Sequence, residues 1–140
     1  SCIFLNLNIY INIYFNMATK EIITELDRTE FLNLIKCNEG LVIIKFTASW
    51  CGPCKTIAPF VNDQFKKTPE SVTCANIDVD DNFDIFAYMK SKKMVKGVPT
   101  ILAYKKDNKT FAPDFSVSGS KKEDLIQFFR ECVLYVNTLN

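Results

Sequence analysis

No histidine occurs in the 140 residues, and that absence excludes a Cys–His catalytic pair, a histidine proton relay and a histidine-ligated metal. An excess of charge is also missing. Lysine and arginine number 17 against 16 aspartate and glutamate, a formal net charge of +1, so net charge argues neither for nucleic acid nor for a membrane surface. No uninterrupted apolar run is long enough to cross a bilayer. Internal repeats, low-complexity linkers and a second domain are absent as well. What is present is one domain's length of chain, 48% hydrophobic and carrying 12 phenylalanines, which is enough to fold around a core without cross-links.

The six cysteines are unevenly placed. Cys2, Cys37, Cys74 and Cys132 lie singly and far apart, unlike the dense spacing of a secreted disulfide scaffold, which suggests a reducing compartment. Cys74 falls in the strand-like run Ser71 to Ile77, and Cys132 is in helical register with Leu125, Phe128, Phe129 and Val136. Both read as small buried hydrophobes. Cys37, at a helix end, is the better candidate for an exposed, oxidisable thiol. Only Cys51 and Cys54 form a close pair, and with no second pair and no histidine a monomeric zinc site is not expected.

Local patterns place the elements. Glu21 to Thr24 opens as a strand. Asp27, followed three residues later by Glu30, reads as a capping box for a helix whose buried face is Phe31, Leu34 and Ile35. Leu41 to Thr47 is a nearly continuous apolar strand of the kind found at the centre of a sheet covered on both faces. A helix follows from about Cys51 to Lys67 with Pro59 inside it. Val72 to Asp78 is a strand, Asn82 to Lys90 a helix and Pro99 to Tyr104 a strand. Asp107-Asn108 marks a hairpin turn, Phe115 to Val117 the last strand, and Lys121 to Val136 a terminal amphipathic helix. That order fits a mixed sheet flanked by helices.

The close pair stands in Trp50-Cys51-Gly52-Pro53-Cys54-Lys55, where a buried strand hands over to a helix. Two thiols two residues apart can close into a disulfide and reopen without rebuilding the protein. The first N–H groups of a helix are unpaired and carry partial positive charge, so they favour a thiolate at Cys51. Cys51 is thus placed as the nucleophile that forms a mixed disulfide, and Cys54, one turn on and more buried, as the resolving thiol. Gly52 and Pro53 let the loop turn tightly while holding the helix start rigid.

The run Phe46 to Lys55, followed by Ala58-Pro59 and by Gly97-Val98-Pro99-Thr100, resembles the thioredoxin family over roughly residues 20 to 136. The resemblance implies an α/β thioredoxin fold, a central mixed sheet of about five strands flanked by about four helices. It implies a protein-disulfide reductase with a Cys51–Cys54 redox disulfide and no bound cofactor, fed with electrons from NADPH by a thioredoxin reductase. Peroxiredoxins and ribonucleotide reductase would be among the recipients. It implies a cis bond before Pro99, although only about 5% of such bonds are cis in general, and a substrate rim of Trp50, Gly97, Val98 and Gly119 beside Gly52 and Pro53. A monomer in the cytoplasm is the matching expectation. Two alternatives stand beside it: an oxidase or isomerase of a secretory compartment, and a non-enzymatic binding module.

The main departure from the family pattern is Lys45, with two further differences in a longer stretch between Asp78 and Pro99 and a longer hairpin around Lys105 to Phe115. Lys45 occupies the place of the buried aspartate that the family assigns to proton transfer at the second cysteine. It reads as a neutral base, as a cation stabilising thiolates, or as a side chain that simply extends to solvent. Residues 1–16 alternate apolar side chains with asparagine and carry no charge, and they read as a dispensable extension or partial leader ahead of a domain over 17–140, or as an added edge strand.

Overall fold

The computed structural model describes Cys2, Leu7 and residues 20–139. The expected extension over residues 1–16 lies outside the described residues apart from Cys2 and Leu7. The strands are β1 (Ile22–Ile23), β2 (Leu41–Thr47), β3 (Val72–Asp78), β4 (Thr100–Lys105) and β5 (Phe115–Ser118). The helices among the described residues are α1 (Arg28–Lys36), α2 (Gly52–Lys66), α3 (Phe83–Ser91) and α4 (Lys122–Asn137). The expected elements are all found, with ends shifted by a residue or two.

The strands form one sheet in the order β1-β3-β2-β4-β5. β2 runs parallel to β3 and antiparallel to β4, and β4 is antiparallel to β5. β2 therefore lies at the centre, and six of its seven residues are buried. Its side chains alternate between two faces. Val42, Ile44 and Phe46 pack with Phe31, Leu34 and Ile35 of α1 and Ile85 and Met89 of α3. Leu41 and Ile43 pack with Ile57, Val61 and Phe65 of α2 and with Leu125, Phe128 and Phe129 of α4.

Local signals explain the helix starts. Glu30 N donates to Asp27 Oδ1 at 2.7 Å and Asp27 N to Glu30 Oε1 at 3.0 Å, the reciprocal pair of a capping box. α2 runs through Pro59, which has no N–H to give to the carbonyl one turn back. Asn82, ahead of α3, is a pin that the sequence did not reveal. Its Oδ1 accepts from Leu26 N, and its Nδ2 donates to the carbonyls of Thr24 and Asp78, so one amide joins the segment before α1 to the end of β3.

The cysteines divide differently from the sequence expectation. Cys74 and Cys132 are buried free thiols, as expected. Cys37 is not exposed: it caps the end of α1, is 7% exposed and forms a disulfide with Cys2. Its burial follows from the turn Asn38 makes by donating to Tyr104 O and accepting from Gly40 N, which tucks the helix end against the sheet.

Burial pushes the Cys74 thiol up, and it pushes Cys132 up to about 12 with Glu131 adding to the effect. A raised thiol pKa means that this contribution to stability is intact below the ordinary value of 9.0 and is lost as pH climbs toward the native one. At pH 8, native protein with its disulfides intact is expected to resist iodoacetamide at both sulfurs. Mass spectrometry should show full labelling only after unfolding, and labelling at the native-state mixing rate would contradict the burial.

Candidate functional site

β2 delivers the chain to the edge of the sheet, and Ala48 to Trp50 turn it into α2. Cys51 is the N-cap residue of α2, and its Sγ accepts from Cys54 N at 3.2 Å. The sulfur thus occupies the place of a capping oxygen, where the unpaired N–H groups and the helix dipole favour negative charge. Cys51 and Cys54 are joined as a disulfide. They are 5% and 2% exposed, so Cys54 is the deeper of the two, as expected.

A second loop comes up beside the sulfurs. The Val98–Pro99 bond is cis, and Val98 O lies 3.8 Å from Cys51 Sγ. Val98 stands before the start of β4, outside the β4 ladders. Thr100 Oγ1 donates to Gly97 O at 2.7 Å, and Gly119 N donates to Pro99 O at 2.9 Å. Gly119 reaches that carbonyl with a φ of 90°, a left-handed conformation that glycine adopts without a Cβ penalty. The structure therefore joins Gly97, Pro99 and Gly119 to the loop whose Val98 carbonyl lies beside Cys51 Sγ. Gly52 and Gly97 are exposed.

Trp50 is 68% exposed, which disposes of a core role. Its Nε1 donates to Asp80 Oδ2 at 2.9 Å, holding the ring at the rim of the site. Asp80 was missed in the sequence. The only available signal was the run Asp78-Val79-Asp80-Asp81 directly after a strand, and there Asp78 Oδ1 accepts from the backbone N–H groups of Asp80 and Asp81.

Lys45 is not at the surface: it is 2% exposed, and loss of solvent pulls its pKa below the usual lysine range. The solvent-directed reading fails because α2 and α4 cover that face of β2. No group of three or more metal-ligating side chains occurs among the described residues.

An α/β sheet with a dithiol at a helix start and a cis-proline loop against it defines a dithiol–disulfide redox protein. The family model for thioredoxin matches residues 22–131, and the chain belongs to the thioredoxin family. It is 38% identical over 100 residues to a thioredoxin of Ophiophagus hannah, covering 71% of this chain and 87% of that one. Among solved structures, one on the thiol-resolving mechanism of yeast mitochondrial 1-Cys peroxiredoxin via glutathione/thioredoxin systems has a similar chain. It matches at 28% identity and a TM-score of 0.63, over 81% of this chain and 99% of that one. A complex of ferredoxin:thioredoxin reductase and thioredoxin f2 matches at 26% identity and a TM-score of 0.63, over 80% and 96%. The protein is a thiol-disulfide oxidoreductase. These relatives favour neither the secretory isomerase nor the non-enzymatic module.

Proposed function

We propose that the protein reduces disulfides in other proteins through Cys51 and Cys54. The observation that carries this is the capping geometry, with Cys51 Sγ receiving the Cys54 N–H at the start of α2. In the reduced state that position favours a Cys51 thiolate, which attacks one sulfur of the target disulfide and releases the other as a thiolate that takes a proton from water. Cys54, deprotonated in turn, attacks Cys51 Sγ, expels the second target sulfur and leaves the Cys51–Cys54 disulfide. Two electrons pass from the dithiol to the target.

The target docks in this reading as an extended segment along Val98, whose backbone lies outside the ladders, over a rim made by Trp50, Gly52, Pro53, Gly97 and Gly119, with Pro99 holding the loop against the sulfurs. Electrons return from NADPH through a thioredoxin reductase, and no cofactor is bound. The two solved structures, one concerning a 1-Cys peroxiredoxin and one a complex with ferredoxin:thioredoxin reductase, support a reductase and a peroxiredoxin as partners, and ribonucleotide reductase is proposed by the same chemistry. The working unit is a monomeric domain over residues 17–140 in the cytoplasm, with residues 1–16 dispensable.

Insulin reduction tests the reading. With NADPH and a thioredoxin reductase, insulin should precipitate at a rate proportional to the protein added, and Met17–Asn140 should perform as well as the longer chain. No acceleration over dithiothreitol alone would overturn it.

A further inference from the structure

The disulfide between Cys2 and Cys37 takes no part in the chemistry assigned to Cys51 and Cys54, and it joins positions 35 residues apart in the chain. It stands at the opposite pole of the sheet from them. Cys37 follows α1 and precedes the start of β2 at Leu41, whereas Cys51 comes after the end of that strand at Thr47. The 7 residues of β2, rising about 3.3 Å each, put the two sites on the order of 20 Å apart. Cys51 therefore cannot reach this disulfide within its own chain, and an exchange between the two pairs has to run between two molecules.

The surroundings of the bond suit both its closed and its open state. Cys37 is buried, while Cys2 is half-buried and presents the sulfur that an outside thiolate can approach. Asn33 Oδ1 lies 3.7 Å from Cys37 Sγ, so a freed Cys37 thiol finds an acceptor for its proton one turn back along α1. Lys109, in the hairpin between β4 and β5, closes over the same helix end. Its Nζ donates to Lys106 O at 2.8 Å and to Ile35 O and Asn38 O, each at 3.4 Å. An ammonium at that place offsets the negative end of the helix dipole, which by itself opposes a thiolate leaving at residue 37.

We propose that the Cys2–Cys37 disulfide is a second redox site, opened and closed by the Cys51–Cys54 pair of another copy of this chain. The inference rests on the reading of Cys51 and Cys54 as the reacting dithiol. It also follows the rule that disulfides between non-catalytic cysteines in a reducing compartment are transient or redox-sensing. The Cys51 thiolate of a reduced copy attacks Cys2 Sγ of its neighbour. A Cys51–Cys2 bond forms, the Cys2–Cys37 bond breaks, and Cys37 leaves as a thiolate that takes a proton from water and donates it to Asn33 Oδ1. Cys54, having given its proton to water, then attacks Cys51 Sγ. The Cys51–Cys54 bond forms, and Cys2 leaves as a thiolate that is protonated by water. Two electrons pass from the dithiol of one copy to the Cys2–Cys37 bond of the other.

The same steps run backwards when the dithiols of the population are oxidised, because a Cys51–Cys54 disulfide accepts the electron pair of the Cys2 and Cys37 thiols. No other oxidant is required. The state of the second pair thus follows the ratio of oxidised to reduced dithiol, and position 2 is tied to the end of α1 or released from it accordingly. Cys74 and Cys132 take no part, since both are buried and burial holds their thiols protonated.

Two full-length variants test the proposal. The substrate chain carries Cys51→Ser and Cys54→Ser and is equilibrated with oxidised glutathione; the donor chain carries Cys2→Ser and Cys37→Ser and is kept reduced by NADPH and a thioredoxin reductase. After acid quenching, unfolding and alkylation with N-ethylmaleimide, peptide mass spectrometry reads the labelled fraction of Cys2 and Cys37. The donor should open the bond about tenfold faster than dithiothreitol at equal dithiol concentration, because a thiolate at a helix start is ionised where dithiothreitol is mostly protonated. No acceleration would overturn the proposal, as would a substrate chain in which Cys2 and Cys37 fail to pair. An excess of donor that also carries Cys54→Ser should give a covalent pair on non-reducing gels, linked between Cys51 and Cys2; a link to Cys37 would overturn the assignment of the attacked sulfur. Insulin given to the same donor chain separates the two readings. Reduction of insulin with Cys2–Cys37 left closed overturns this proposal alone, whereas failure on both substrates overturns the dithiol reading beneath it.

Discussion

Cys51→Ser is expected to lose disulfide reduction by on the order of 10³-fold or more, the scale on which removal of a covalent nucleophile acts, while the fold stays intact. The serine hydroxyl can still accept the Cys54 N–H, so the helix keeps its cap and circular dichroism should be unchanged. What disappears is the thiolate, because a hydroxyl does not ionise near neutrality and cannot enter thiol exchange. Cys54→Ser should fail differently. Its Cys51 still attacks, the mixed disulfide has nothing to resolve it, and covalent complexes with target proteins should accumulate on non-reducing gels. The two variants separate attack from release. Full insulin reduction by Cys51→Ser, or the absence of trapped complexes with Cys54→Ser under oxidising conditions, would reverse the roles assigned to the two sulfurs.

Gly40→Ala is expected to lose about 3 kcal/mol of stability, at the upper end of overpacking costs, with a melting temperature lower by roughly 10 °C. Gly40 is buried, and a Cβ there would overlap the carbonyl oxygen of Ser71, with the Ser71 carbonyl carbon and Cβ also in the way. Neither backbone can yield without breaking something. Leu41 N donates to that same Ser71 oxygen at 3.1 Å, and Gly40 N donates to Asn38 Oδ1 at 2.9 Å. The clash sits where the central strand begins, so relief would cost the first rungs of the β2–β3 ladder. Gly52→Ala is the control: its Cβ would meet nothing within 4 Å, and its stability should stay within about 0.5 kcal/mol of the parent. Urea unfolding of the three proteins measures the difference. Equal midpoints for Gly40→Ala and the parent would show that the approach of the two strands is softer than described.

Both predictions mark the boundary between what a sequence displays and what it conceals. The pair Cys51 and Cys54 was legible because its chemistry is local: two thiols a turn apart, after a β-branched run and before a helical one. The capping box of Asp27 and Glu30 was legible for the same reason. Burial of Cys74 and Cys132 could be read because periodicity within a single element marks its covered side.

Gly40 carried no such signal, because its neighbour Ser71 stands just ahead of another strand and comes close only through pairing. Asp80 joins Trp50 across 30 positions of sequence, and Asn82 joins Leu26 across 56. Only the exposure of Cys37 was misjudged, because a helix end is exposed by default and this one is covered, while its oxidation to a disulfide with Cys2 agrees with an oxidisable thiol.

Chain order, the covered side of each helix and the close cysteine pair were determined by the sequence by itself, since spacing within an element and the chemistry of a short motif need no distant partner. The tertiary structure alone decided the burial of Lys45. A lysine within an apolar strand reads equally as a side chain reaching solvent or as one held under a cover. The choice belongs to α2 and α4, which are brought over that face by the parallel crossover and the terminal helix. Its burial is a property of packed layers.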